Sequence, residues 1–218
     1  EGQHIAIIGV GGTGSYILDQ IAKTPVSEIR LIDGDDFLQH NAFRAPGAPS
    51  INTLREVPKK VDYLAGIYSQ MHRHIVTHAV QISLDNLNLL DGITFAFLCM
   101  DAGEPKRLAM QKLEDMGVSF VDVGIGLELV DGSLGGILRV TTSTPEKREH
   151  IRTRVSVKES GADNVYASNI QVAELNMLNA ALAVIKWKKL LGFYRDLENE
   201  HHCSYTTDGN MLLNGDLL

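Results

Sequence analysis

A glycine-rich run near the start of the chain, Gly-Val-Gly-Gly-Thr-Gly from Gly9 to Gly14, has the composition of a phosphate-binding turn. It follows a short apolar run typical of a buried strand and precedes a helical pattern. Gly9 would permit the tight turn, and Gly14 would let the helix pack closely against the strand. Gly11 or Gly12 would let the backbone approach a phosphate, beside the unpaired N–H groups of the helix N-terminus.

An acid follows this turn at the spacing found in nucleotide-binding sites. Asp33 lies about 20 residues beyond Gly14, at the end of a second apolar run, where its carboxylate could accept hydrogen bonds from ribose hydroxyls. The turn and the acid together indicate an adenine nucleotide, but they do not distinguish ATP from NAD. A glycine turn that binds no ligand is the alternative interpretation.

Side chains suited to phosphate follow Asp33 in a polar segment. Asp35 comes first, and the pattern Asn-x-x-Arg follows with Asn41 and Arg44. The Arg44 guanidinium offers a planar fork of donors to phosphate oxygens, and Asn41 offers an uncharged donor and acceptor. Taken alone, Arg44 would be a solvated residue of a surface loop.

Two later positions could complete a site for a charged phosphate group. Lys60 would supply a point charge near the start of a predicted helix, with Lys59 as the competing candidate. Asp101 follows another apolar run, and a carboxylate beside a triphosphate requires a cation such as Mg²⁺ between them. The plainer interpretations are an exposed helix lysine and an acid that caps the helix beginning near Gly103.

The order and spacing of these residues resemble the ThiF/MoeB and ubiquitin-activating enzyme family. That family's Asp-x-Asp…Asn-x-x-Arg segment matches Asp33 to Arg44 without a gap, and its Pro-Lys resembles Pro58 to Lys60. Its strand-ending Cys-Thr-Asp is similar to Cys99-Met100-Asp101. The resemblance covers Ile5 to Thr141 clearly and Asn169 to Ala183 more loosely. The C-terminal part is most similar to the ThiF-type proteins of bacterial PRTRC gene systems.

The resemblance implies an ATP-dependent adenylyltransferase. In that family the C-terminal carboxylate of a ubiquitin-like or ThiS-like small protein attacks the α-phosphate of ATP, which forms an acyl-adenylate and releases pyrophosphate. Arg44, Lys60 and Asp101 would be catalytic, with Asp33 on the ribose and Asp101 as the Mg²⁺ ligand. The implied nucleotide-binding residues are Gly9, Gly11, Gly12, Gly14, Asp33, Asp35, Asn41, Arg44 and Lys60. A homodimer is also implied.

The cysteines depart from the family's pattern. Many members bind zinc through two Cys-x-x-Cys pairs, whereas the chain has two cysteines in all, Cys99 and Cys203, so no structural zinc is predicted. The stretch from Thr142 to Ser168, where many members carry an acceptor cysteine, has none. Cys99 is expected in the core. Cys203, beside His201 and His202, is either an activated nucleophile or an ordinary thiol in a C-terminal loop. We therefore expect adenylation without an obligatory thioester.

Alternating strands and helices predict an α/β fold with a doubly wound, mostly parallel, Rossmann-like sheet and a C-terminal antiparallel extension. The predicted strands are His4–Val10, Glu28–Asp33, Ile75–Ile82, Thr94–Met100 and Val118–Gly124. The predicted helices are Ser15–Lys23, Pro58–Met71, Glu104–Met116 and Asn169–Leu191. Hairpins are predicted around Asp131-Gly132 and Asp208-Gly209, because Asp-Gly is a strong turn signal.

The chain is expected to be one domain over residues 1–218. Its parts would be a nucleotide-binding region (1–141), a mobile crossover loop (142–168) and a C-terminal helix and hairpin (169–218). Asp35 to Ser50 is predicted to be a loop, because it is polar and rich in proline and glycine. Relatives in the family donate an arginine from a segment before the first strand; either that segment was removed or disordered here, or the chain lacks it.

Composition limits the functional classes. The formal net charge is −7, with 20 Lys and Arg against 27 Asp and Glu, which does not favour a nucleic-acid partner. No apolar run approaches the roughly 20 residues of a membrane span. Two distant cysteines favour a reducing, cytoplasmic compartment.

Two other functional classes remain open at the level of sequence. A nucleotide-holding pseudoenzyme or partner-docking module would account for the missing loop cysteine. An NAD-dependent oxidoreductase would account for the glycine turn, but it leaves the Asn41–Arg44 spacing and Asp101 unexplained.

Overall fold

One eight-stranded sheet organises residues 2–157 and 170–217, which are those that the computed structural model describes. Its strands are β1 His4–Ile8, β2 Glu28–Ile32, β3 Ile75–His78, β4 Phe95–Leu98, β5 Ser119–Val130, β6 Ser133–Ser143, β7 Glu200–Thr206 and β8 Met211–Leu217. They lie in the order β3-β2-β1-β4-β5-β6-β7-β8. Pairing is parallel from β3 to β5 and antiparallel from β5 to β8, which confirms the predicted sheet.

Helices cover both faces of this sheet. They are α1 Gly12–Ile21, α2 Gln39–Ala42, α3 Ile51–Glu56, α4 Lys60–Tyr68, α5 Glu104–Asp115, α6 Ile151–Arg154 and α7 Ala173–Leu190, with a 3₁₀ helix at Leu84–Leu90. Apolar residues of α1, α4 and α7 pack on one face, and those of α5, α6 and the 3₁₀ helix pack on the other. In the described part of the chain, none of the helices combines the length and apolar character that a membrane crossing requires.

The apolar character of β1 follows from this double cover. Ile5 and Ile7 pack on the α1 and α7 side, whereas Ala6 and Ile8 pack on the α5 side, because successive side chains of a strand point to opposite faces. All of them are buried. A parallel strand with both faces covered is therefore apolar throughout, which is why the sequence signal for β1 was strong.

The strand order places a crevice at the carboxyl end of β1. The chain passes from β1 to β2 on one side, and β4 pairs with β1 on the other side. Ligands of doubly wound sheets bind beyond the strand ends at such a reversal. Gly9 follows β1, Asp33 follows β2 and Asp101 lies beyond β4, so the fold brings all of them to this edge.

The predicted hairpins are confirmed, although β5 and β6 are longer than expected. Asp131 and Gly132 both have positive φ angles (49° and 78°), as a tight two-residue hairpin turn requires. β5 continues past Gly124 because β6 pairs with it along its whole length. β6 in turn includes Thr142 and Ser143, so the predicted crossover loop begins later and contains α6. Its residues 158–168 lie outside the described residues.

Several boundaries differ from the predictions for local reasons. The predicted loop Asp35–Ser50 contains the short helix α2. The helix α3, which was not predicted, follows this loop, and the Ser50 hydroxyl caps α3 by accepting the Thr53 N–H at 3.0 Å. β3 ends at His78. The long C-terminal helix begins at Ala173, and the predicted start at residue 169 lies outside the described residues.

A buried ion pair ties α5 to the sheet next to the loop that carries Asp101. Lys106 and Asp122 are both buried, and Lys106 Nζ lies 2.5 Å from Asp122 Oδ1. Burial raises the pKa of Asp122, and the charge of Lys106 opposes this. Asp122 pairs in register with Leu98, the last residue of β4. The ion pair therefore fixes the first turns of α5 against the strand ends.

Removing one partner of this pair should destabilise the fold strongly. We expect Lys106→Met to lower the free energy of unfolding by about 3–5 kcal/mol, because the Asp122 carboxylate stays buried without its cation. Lys106→Met combined with Asp122→Leu should recover much of that loss, since no charge is left buried. Urea unfolding followed by the fluorescence of the single tryptophan, the buried Trp187, measures both.

The matched control is a more exposed ion pair at the end of α1. Lys23 Nζ lies 2.7 Å from Asp19 Oδ2, and the Lys23 side chain is exposed. Lys23→Met should cost less than about 1 kcal/mol. A Lys106→Met variant as stable as Lys23→Met would show that the buried pair does not hold α5 in place.

Candidate functional site

The glycine turn between β1 and α1 leaves no space for side chains at its two ends. Gly9 has a φ of 87°, and a Cβ there would lie 2.7 Å from the carbonyl oxygen of Cys99. A Cβ on Gly14 would collide with the carbonyl oxygen of Gly9. Because Gly9 has no side chain, the turn can pack against the end of β4. Because Gly14 has none, α1 can pack against the turn.

The two central glycines of the turn have different surroundings. A Cβ on Gly12 would collide with the side chain of Asn176 in α7, whose Oδ1 also accepts a hydrogen bond from the Thr13 hydroxyl at 2.9 Å. At Gly11 a Cβ would meet nothing within 4 Å. Gly12 therefore serves helix packing, and Gly11 is the position where a ligand can approach the backbone.

Asp33 is held rigidly beside this turn. One carboxylate oxygen accepts the Val10 N–H at 2.8 Å and the other accepts the Asp35 N–H at 2.9 Å, and the side chain is only 8% exposed. A carboxylate fixed by two backbone donors needs no rearrangement before it binds hydroxyl groups. This is the arrangement expected of a ribose-binding acid next to a glycine turn.

Lys60, rather than Lys59, lies at the site. Lys60 is buried, and its Nζ lies 2.7 Å from Asp35 Oδ2 and 3.7 Å from Asp33 Oδ2. The hydrogen bond from Lys60 lowers the pKa of Asp35. The Lys59 side chain is 41% exposed, and its Nζ lies 2.8 Å from Asp36 Oδ1 and donates to the Gly34 carbonyl oxygen at 3.0 Å. The sequence analysis preferred Lys60, with Lys59 as the competing candidate, and the greater burial of Lys60 favours that preference.

Asn41 and Lys60 border the same cleft. The cleft has a volume of about 380 Å³ and is lined by Gly34, Asp35, Asp36, Leu38, His40, Asn41 and Lys60. The Asn41 Oδ1 accepts the Leu38 N–H at 2.9 Å, but its buried Nδ2 has no hydrogen-bond partner within the described residues. A buried donor without an acceptor is costly, so a ligand that supplies one would be favoured.

Arg44 lies within electrostatic reach of this cleft. Its backbone N–H donates to the Asn41 carbonyl at 3.1 Å, just after α2. Burial lowers the pKa of the neighbouring His40, and the positive charges of Arg44 and Lys60 lower it further. The two predicted cations therefore act on the same small region. His40 was not among the sequence candidates, although its place directly before Asn41 was a usable signal.

Asp101 lies on the neighbouring loop, two residues beyond Cys99, which touches Gly9. Its side chain is exposed, and within the described residues it takes part in no hydrogen bond or ion pair. The N-cap of α5 is Gly103, with no side-chain cap. The alternative in which Asp101 caps this helix is therefore wrong, and no contact of the described residues joins Asp101 to Lys60.

Asp101 is the residue of this site whose carboxylate could hold a metal ion. Within the described residues, no group of three or more His, Cys, Asp or Glu side chains could hold a metal ion. Mg²⁺ at phosphate sites commonly uses one or two carboxylates and takes its other ligands from phosphate and water. A single exposed carboxylate, Asp101, fits that pattern.

The cysteines are not placed as reactive thiols. Cys203 lies in β7, paired with Val140, and not in a loop as one alternative expected. Burial raises the pKa of Cys203 to about 11 and also raises the pKa of Cys99. Both thiols are therefore protonated at neutral pH, which opposes the interpretation of Cys203 as an activated nucleophile.

Comparison with known proteins agrees with the observed fold. A crystal structure of PaaA superposes with a TM-score of 0.73 at 19% identity, and one of E. coli MccB with ATP superposes with 0.68 at 16%. Each alignment covers 99% of this chain, which spans 64% of the length of either protein. The tRNA threonylcarbamoyladenosine dehydratase of Haemophilus influenzae is 42% identical over 41 residues, which are 19% of this chain and 16% of that protein.

The family assignment covers most of the chain. The ThiF family model matches residues 1–198, from the strand before the glycine turn to the segment beyond α7. The structural neighbours share the mixed sheet, and the glycine turn, Asp33 and Lys60 meet at the edge where ligands of such sheets bind. The chain belongs to the ThiF family.

Proposed function

We propose that this chain uses ATP to adenylate a carboxylate. The observation that carries the proposal is the buried Lys60 between two aspartates, in a cleft where the amide of Asn41 has no acceptor. Asp33, beside the glycine turn, would bind the ribose, and Lys60 and Arg44 would bind phosphates. Hydride transfer to NAD would need neither cation.

The mechanism follows from the charges that must meet. An oxygen of the substrate carboxylate forms a bond to the α-phosphorus of ATP, the bond from that phosphorus to the bridging oxygen breaks, and pyrophosphate leaves with the electron pair. Two anions approach each other, so fixed positive charge lowers the barrier. Lys60 would exchange Asp35 for a phosphate oxygen, and Arg44 would bind phosphate with its planar fork.

Asp101 would hold Mg²⁺ together with the phosphates. When bound, the ion supplies positive charge to the phosphate oxygens and favours pyrophosphate as a leaving group. The exposed and unengaged carboxylate of Asp101 is available for this role in the described structure. The nucleotide ligands would be the residues of the cleft and the turn, namely Gly9, Gly11, Asp33, Asp35, Asn41, Arg44 and Lys60; Gly12 and Gly14 would act indirectly, by fixing α1.

We further propose that the carboxylate is the C-terminus of a ubiquitin-like or ThiS-like small protein, and that the enzyme works as a homodimer. Support comes from the resemblance in the Asp33–Arg44 segment and from structures of MccB solved with ATP and with MccA. The absence of a cysteine from residues 142–168 supports adenylation without a thioester on this chain.

Substitution of the proposed catalytic side chains tests the site. Arg44→Ala, Lys60→Ala and Asp101→Ala should each lower adenylation by about 10²-fold, the usual cost of losing one electrostatic stabiliser. The measurement is exchange of labelled pyrophosphate into ATP in the presence of a small protein with a ThiS-like C-terminus. Lys59→Ala is the matched control and should stay near the wild-type rate.

Calorimetric titration with Mg·ATP and, separately, with NAD distinguishes the functional classes without the protein substrate. We expect Mg·ATP to bind to the wild type and to bind more weakly to Asp101→Ala. We expect no binding of NAD. If NAD binds with the same affinity to the wild type and to Asp101→Ala, an oxidoreductase would be favoured. Binding of neither nucleotide would favour a partner-docking module.

Gly11→Ala tests whether the phosphates approach the backbone at the turn. The added methyl meets nothing in the described structure, so thermal stability should change little. Mg·ATP affinity should fall at least about tenfold, because the methyl occupies the space through which the phosphate reaches the N–H groups.

Gly66→Ala, on α4, is the control for Gly11→Ala, because a Cβ there also meets nothing. It should leave nucleotide affinity unchanged. Equal affinities of the two variants would contradict the proposed phosphate path.

A further inference from the structure

His40 is a titratable group of the cleft that the mechanism above does not use. It lies in α2 directly before Asn41 and lines the same cleft as Asn41 and Lys60. Its side chain is half-buried, so it can reach both the cleft and solvent. An imidazole in this place could contact a ligand that the cleft holds.

The charged groups around His40 come from several segments and balance one another. The loop after β2 contributes three carboxylates, of which Asp33 and Asp35 face Lys60 at the start of α4. The third, Asp36, is bound by Lys59 just before α4. Arg44, in the loop after α2, completes three cations against three carboxylates.

This balance leaves little net charge to hold a polyphosphate. The three cations and the three carboxylates cancel one another, so a proton on His40 would give this region a net positive charge. Burial first, and then the charges of Arg44 and Lys60, lower the pKa of His40 in the free protein. The imidazole is therefore neutral at pH 7 before a ligand binds. A polyanion in the cleft would reverse the electrostatic effect of these cations and favour the imidazolium.

We propose that His40 takes up a proton when the polyphosphate of ATP binds, and that it thereby becomes an additional phosphate-binding residue whose charge exists only in the complex. The inference rests on the proposed function, because it requires that this cleft binds ATP. It adds a dependence of nucleotide affinity on pH to the proposed function.

The direction of the pH dependence follows from linkage. Binding raises the proton affinity of His40, so a lower pH strengthens binding, by at most about tenfold per pH unit for one proton. The gain should occur as the pH falls from about 8 to about 6, and it should level off once the free protein is also protonated at His40.

Calorimetry of Mg·ATP binding tests this directly. Titrations at about pH 7 in two buffers of different ionisation enthalpy give the number of protons taken up per nucleotide. We expect the wild type to take up a substantial fraction of one proton. His40→Gln should lose most of that uptake and the pH dependence that accompanies it. The protonation of ATP itself is common to both proteins and cancels in the comparison.

Two further variants sharpen the result. His74→Gln is the matched control, because His74 is exposed and lies just before β3, at the opposite end of the parallel strands. It should keep the wild-type uptake. His40→Arg carries a permanent positive charge and should bind Mg·ATP without uptake, with an affinity that changes little with pH. It also shows whether the position tolerates substitution.

The outcomes separate the inference from the proposed function. Two outcomes overturn the role of His40 and leave the proposed function standing. In the first, the wild type binds Mg·ATP without proton uptake. In the second, His40→Gln and His40→Arg take up as many protons as the wild type. If the wild type binds no nucleotide, the proposed function fails and the inference fails with it. Uptake that is lost in both His40 variants and kept in His74→Gln supports the inference.

Discussion

The candidate site depends on the carboxylate of Asp33, which joins the ends of two parallel strands. It accepts the Val10 N–H of the turn after β1 and the Asp35 N–H of the loop after β2. The same loop then places Asp35 against Lys60. One side chain thus fixes the path of the glycine turn and the start of the segment that carries Asn41 and Arg44. The packing of Gly9 on Cys99 adds the loop after β4 to this arrangement.

Local sequence was sufficient for features whose cause is local. The apolar runs of β1 and β4, the Asp131-Gly132 turn and the position of Asp33 after a strand follow from burial on both faces and from turn geometry. The spacing from Asp33 to Arg44 could be recognised because one short continuous segment, the loop after β2 together with α2, contains all of it. In these places the sequence signal lies within a few neighbouring residues, so the prediction and the structure agree.

Distant contacts explain what the sequence could not predict. Gly12 packs against Asn176 of α7, a helix far along the chain, and nothing in the glycine turn indicates which glycine stays open. The sequence preferred Lys60 to Lys59, but its ion pair with Asp35 and its burial depend on the loop after β2, far from α4 in the sequence. The partner of Lys106 is likewise on another element, β5. The catalytic roles of Arg44, Lys60 and Asp101 remain predictions, because spacing and geometry determine where a side chain lies and not how it changes the rate of a reaction.

The pairing of Lys60 with aspartate in the free protein has a consequence for selectivity among anions. A cleft whose cations are paired with carboxylates has little net charge and therefore attracts anions weakly over long range. Inorganic phosphate and other small anions are then expected to bind weakly there. A ligand that displaces Asp35 from Lys60 must compensate for the broken ion pair with several contacts at once. A nucleotide can meet the open backbone at Gly11, the amide of Asn41 and the carboxylate of Asp33 together. Under the proposed function, the ion pair between Lys60 and Asp35 would therefore disfavour ligands that are too small to span the site.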